Sequence, residues 1–283
     1  MKIFLLHIAI CFIALQSCAG SKPMLANAPA VAPAVNDSFR LEKVIVGNFN
    51  MLDVDVLNNI YLITAGNQLK KYNSRGDSMA VFNDVKKYGN PTLMDVSNPL
   101  KVLLYYKNYS TVVMLDRLLS PRNTINFRQQ NIFSVKAIAT SYDNNIWLFD
   151  EQDYKLKKID EEGKILQEST DWRVLMDNVP SPSTIIDNNN FVYLYDEAKG
   201  FYIFDYYGTY KNNLPFFNWK NIAVSQGKIT GIQSNALHSY VVESLNDKVY
   251  SLPPFLKNYI SIKAMNGKLY VLREDALEIY SVL

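Results

Sequence analysis

The feature that most constrains this 283-residue chain is a strand-like segment that returns every forty-odd residues. Short β-branched and aromatic runs read Ile60-Tyr-Leu-Ile63, Val102-Leu-Leu-Tyr-Tyr106, Ile146-Trp-Leu-Phe149, Val192-Tyr-Leu-Tyr195 and Leu269-Tyr-Val-Leu272, with a weaker member at Ile229-Thr-Gly-Ile232. Their first apolar residues are separated by 42, 44, 46, 37 and 40 positions. No stretch of the body shows a convincing amphipathic helical period. A recurring β unit of this length is a four-stranded blade, and six of them predict an all-β, six-bladed β-propeller. Composition agrees: 19 Tyr and 14 Phe favour strands, and 48% hydrophobic residues exclude wholesale disorder.

The flanks repeat too. Five residues before each of the first four runs stand Asp55, Ser97, Ser141 and Asp187, short side chains expected to close the hairpin between first and second strands. Thirteen or fourteen residues after it stand Asn73, Asp116, Asp160 and Asp205, followed in three cases by Gly76, Gly163 and Gly208. Such a pair predicts the turn between third and fourth strands, with glycine supplying the positive φ. The second repeat lacks this glycine, and the fifth (residues 221–252) keeps neither caps nor glycine. The pattern resembles six-bladed propellers of the NHL and related kinds over nearly all of residues 39–283. The final repeat has three strands before the chain stops, and a spare strand precedes the first repeat at Phe39-Arg-Leu-Glu-Lys-Val-Ile-Val46. Pairing that N-terminal strand with the C-terminal blade would close the ring and remove exposed edges.

Upstream, Lys2 precedes a short apolar run from Ile3 to Leu15, too short to span a membrane and suited to a secretory signal. The tetrapeptide Leu15-Gln16-Ser17-Cys18 resembles a bacterial lipobox. The resemblance implies removal of residues 1–17 and lipidation of Cys18. Cys11 would leave with the signal, so Cys18 would have no intramolecular disulfide partner. Each buried CH₂ of an acyl chain contributes roughly 0.8 kcal/mol, so several chains anchor a protein firmly. Residues 18–38 are rich in Ala and Pro and read as a tether. No acidic residue follows Cys18 directly, which leans towards the periplasmic face of an outer membrane rather than the cell surface. Beyond the signal, 28 basic residues balance 27 acidic ones, far from the electrostatic footprint of a nucleic-acid binder.

Catalytic residue types are scarce. His238 is the one histidine beyond the signal, so neither a His-based metal site nor a serine triad is expected, and no motif calls for a cofactor. Asp53, Asp55, Asp95 and Asp187 fall on or beside the expected innermost strands. Asp53 and Asp95 are weak channel candidates for a cation, and strand-end capping is the plainer role. The links between blades should share one face, and they carry Tyr88, Phe133, Trp172, Arg173, Phe217, Trp219, Phe255 and Tyr259. Aromatics with arginine on one rim suit a protein partner, unless the rings wedge between blades. Asp171-Trp-Arg173, in the longest link, is the preferred contact. The lysines of Leu69-Lys-Lys71 and Leu156-Lys-Lys158 read as solvated outer-face residues. Asp77-Ser-Met79 resembles the short O-glycosylation pattern of Bacteroidetes exported proteins. The expected function is a lipid-anchored, non-catalytic module that binds another envelope protein, plausibly in an outer-membrane assembly or secretion complex. The alternatives are a lyase or hydrolase working in the channel and a sensor of glycans or small ligands.

Overall fold

The computed structural model describes residues 39–225, 227–242 and 244–282. The expected signal peptide, Cys18 and the tether to residue 38 lie outside them. Six antiparallel four-stranded sheets make up the body, and the fold is a six-bladed propeller. The innermost strands are Phe49–Val54, Leu93–Asn98, Val135–Thr140, Thr184–Asn188, Lys220–Ser225 and Ser261–Met265 for blades one to six. Neighbouring inner strands touch around the whole ring, including the first against the sixth. In blade six the outermost strand is Phe39–Val46, which runs antiparallel to Ala276–Val282, from Phe39 opposite Val282 to Val46 opposite Ala276. A register shift lies between Leu41 and Lys43.

Outside blade five, the second strands read as apolar runs because both of their faces are covered. Ile146 and Leu148 join a core shared with blade two, whereas Trp147 and Phe149, pointing the other way, join one shared with blade four. The same division holds around the ring, giving six cores, one at each blade junction. Aromatics supply the bulk where strands splay apart. Trp172, wholly buried, is stacked between Phe149 (4.7 Å between centroids) and Phe204 (5.0 Å).

The turns between third and fourth strands take one form in the first four blades. A single side-chain oxygen of Asn73, Asp116, Asp160 or Asp205 accepts hydrogen bonds from the backbone N–H groups two and four residues on. Gly163 shows the left-handed φ of +90° that the turn demands. In blade two the same position is Leu119 at φ +61°, 3% exposed and packed in the junction with blade one. Burial of the leucine side chain offsets the backbone strain, which is why the motif lacks its glycine there. Blade five uses different turns: Ser234 and Asn235 both have positive φ and join its second and third strands.

Two expectations are corrected. Only Asp55 caps its own hairpin, accepting from the N–H groups of Leu57 and Asn59. Asp187 instead reaches blade three, and Ser97 and Ser141 turn their hydroxyls to Asp95 and Asp187. Of the lysines read as solvated, Lys71, Lys157 and Lys158 are buried, whereas Lys70 is half-exposed. Lys71 donates to the carbonyl of Arg117 (2.8 Å), Lys157 pairs with Asp150 (2.8 Å) and Asp153, and Lys158 pairs with Asp143 (3.0 Å). Where a third strand is buried, as at Lys71 and at Lys157 and Lys158, a lysine must carry its charge to a polar partner within the blade or at the next turn.

Candidate functional site

A channel runs between the six inner strands, with a cavity of about 400 Å³ lined in part by Met51, Asp53, Met94, Asp95, Ile186 and Lys263. Its carboxylates tie blades together. Asp53 meets Lys263 of blade six at 3.1 Å. Asp95, on blade two, accepts from the N–H (2.7 Å) and hydroxyl (2.6 Å) of Thr140 on blade three. Asp187, on blade four, accepts from Trp147 Nε1 (2.9 Å), Ser141 Oγ (3.3 Å) and the Tyr142 N–H (3.2 Å), and its other oxygen takes the Tyr206 hydroxyl (3.2 Å). Burial raises Asp95 and Asp187 above the ordinary aspartate range, outweighing the hydrogen bonds that favour their charge. Among the described residues no group of three or more His, Cys, Asp or Glu side chains is gathered as a metal site would require. What this arrangement does best chemically is hold blades two, three and four in register.

His238 lies on the third strand of blade five, outside the channel lining, with its ring 5.0 Å from that of Trp219. Gly231 makes room for Trp219: a Cβ there would come within 2.6 Å of the indole.

The interblade links emerge on one face, together with the turns between second and third strands. Of the rim residues singled out from the sequence, Trp172, Trp219 and Tyr88 are buried. Trp219 stacks flat on Phe216 (4.5 Å, 5°), and Tyr88 tilts against Tyr106 (5.1 Å). Phe255 sits between Phe39 (5.8 Å) and Tyr280 (5.2 Å), and Tyr259 is half-buried in the same junction. These five rings are wedges. Phe133, Phe217 and Arg173 remain exposed.

The longest link shows how a wedge presents its neighbours. Asp171 caps the short helix Trp172–Leu175, accepting from the Arg173 N–H, and holds the Arg173 guanidinium at 2.6 Å. Trp172 fixes the helix to the body, its Nε1 donating to Ser169 Oγ (3.0 Å). Val174 and Leu175 then face solvent, 79% and 45% exposed. Sequence reasoning passed over this pair because it favoured aromatics; the signal was two adjacent aliphatics directly after an anchoring Trp and its Arg173 neighbour. The opposite face has exposed apolar hairpin tips of its own, including Val56, Leu57, Leu100 and Tyr142.

No protein-family model matches the chain, and no curated protein sequence matches it. Solved structures do. The chain is similar to virginiamycin B lyase from Staphylococcus aureus, at 11% identity and a TM-score of 0.61, covering 87% of this chain and all of that one. It is similar to the WD40 domain of Neurospora crassa Pan2, at 10% identity and a TM-score of 0.63, over 87% and 95% of the two chains. A Bacteroides fragilis protein named as exported matches at 9% identity and a TM-score of 0.56, over 88% and 96%. At such identities the likeness is one of fold.

Proposed function

We propose that this protein is a lipid-anchored propeller of the bacterial cell envelope that binds another envelope protein and catalyses no reaction. The observation that carries the reading is the rigidly mounted apolar pair Val174 and Leu175, which lies on the same face as exposed Phe133 and Phe217. Apolar side chains held on a pinned scaffold lose little entropy on docking, which suits them to the centre of an interface. The Leu15-to-Cys18 motif supports the anchor, and the absence of acidic residues directly after Cys18, where the chain reads Ala19-Gly20-Ser21-Lys22, supports the periplasmic face of an outer membrane. An outer-membrane assembly or secretion complex is the setting proposed.

The lyase among the similar structures raises the channel-enzyme alternative. Against it, His238 is packed beside Trp219 rather than in the channel, and Asp95 and Asp187 are committed to bonds between blades. The test is capture of the full-length protein from detergent-solubilised envelopes of the native host. A stoichiometric partner is expected, lost with Val174→Asp plus Phe217→Asp and retained with Leu57→Asp on the opposite face. Recovery of no partner, or its loss with Leu57→Asp alone, overturns the assignment.

A further inference from the structure

Where blades two and three meet on the link face there is a cavity of about 350 Å³, lined among others by Tyr105, Lys107, Ser110, Arg128, Phe133 and Ser134. Its lining includes two cations and no acid. Ser110, 3% exposed, accepts from Arg128 Nε (3.1 Å) and so orients the guanidinium. Neither Arg128 nor Lys107 has an ion-pair partner among the described residues. The nearby acids are already engaged: Glu151 with Lys136 at 3.1 Å and Asp150 with Lys157 at 2.8 Å. Tyr105, 2% exposed, is also among the lining residues. One wall is the exposed ring of Phe133.

From this juxtaposition we infer that the cavity binds a carboxylate carried on an apolar or aromatic group. The planar guanidinium, fixed through Nε, offers its remaining N–H groups in the fork that matches a carboxylate, and Lys107 adds charge from the side. Phe133 selects for an apolar body beside the anion, and the volume is several times what a bare inorganic ion fills. The carboxylate has two sources: a free organic acid, or an acidic side chain next to an aromatic one in a partner protein. The second source rests on the partner reading above; the first does not.

The test is calorimetric titration of the full-length protein in detergent with benzoate, with acetate, with the peptide acetyl-Phe-Glu-amide and with inorganic phosphate. Saturable binding of benzoate or peptide is expected, weakened about tenfold by Arg128→Gln and again by Lys107→Gln, as for loss of a charge-assisted contact. Phe133→Ser should weaken benzoate while leaving acetate unchanged. Tighter peptide than benzoate assigns the source to a partner, and the reverse assigns it to a free acid. Binding that survives the double cation variant, phosphate bound in preference to benzoate, or no binding of either carboxylate overturns the inference. Because the titration uses purified protein, its result is independent of whether any partner is captured.

Discussion

Replacing Trp172 with alanine tests the central architectural point, that link aromatics are structural wedges. The ring is fully buried, lies between Phe149 and Phe204 at stacking distance, and donates to Ser169 Oγ. Truncation removes both stacks and leaves a cavity at the junction of blades three and four. Comparable Trp-to-Ala changes in cores cost about 3–5 kcal/mol, a large part of a total stability of roughly 5–15 kcal/mol. For a body of this size that is a fall in melting temperature of about 6–20 °C. Trp172→Phe keeps a ring between Phe149 and Phe204 but loses the hydrogen bond and one ring of the indole. Ser169 Oγ still donates to the Thr170 carbonyl and accepts from the Leu156 N–H, so the expected loss is about 1–2 kcal/mol. Urea unfolding followed by circular dichroism gives both numbers on one scale. Val174→Asp should leave the midpoint nearly where it is, because that residue is 79% exposed. A loss below about 1 kcal/mol for Trp172→Ala, against the core-truncation range, would refute the wedge.

Other expectations follow from the same reasoning. Deleting residues 39–46 strips the outer strand from blade six and bares the edge of Ala276–Val282, so the protein should melt earlier and self-associate, read by light scattering during a thermal ramp. Leu119→Gly restores the turn residue of the other blades yet should destabilise by about 1–2 kcal/mol, since the lost burial exceeds the relieved strain; a gain on denaturant unfolding would contradict the account of blade two. Asp95 has a folded pKa above its unfolded value, so it binds protons more tightly when folded, and its contribution to stability falls as pH rises from about 4 through that raised value. Asp95→Asn, which still accepts from Thr140, should therefore gain on wild type with increasing pH over that window; parallel stability–pH curves would show that burial does not tune this group.

How much was legible in the sequence differs between levels. The blade period was legible because both faces of the second strands outside blade five are covered, which leaves apolar runs such as Ile146 to Phe149 at regular spacing. The turns at Asn73, Asp116, Asp160 and Asp205 were legible for the same local reason: their hydrogen bonds close within four residues. Asp187 and Ser141 were not, since their partners lie about 45 positions away on another blade. Lys157 and Lys158 look like surface residues in one dimension, and only their nearness to Asp150 and Asp143 makes burial tolerable.

The sequence by itself determined what short-range physics can encode: a strand period and turn chemistry. The tertiary structure alone decided which aromatics became wedges and which residues they left exposed. Trp172 and Phe133 are both link aromatics, yet one is sealed between two rings and the other faces solvent. The junction of blades two and three is already filled by Phe127 and Ile132 of the same link, which leaves Phe133 outside, whereas Trp172 fills the junction of blades three and four. Those junctions exist only once the ring has formed, so no local pattern records which ring fills them. The anion-accepting cavity between blades two and three has the same origin, since it joins Lys107 and Ser110 of one strand connection to Arg128 and Phe133 of the next link.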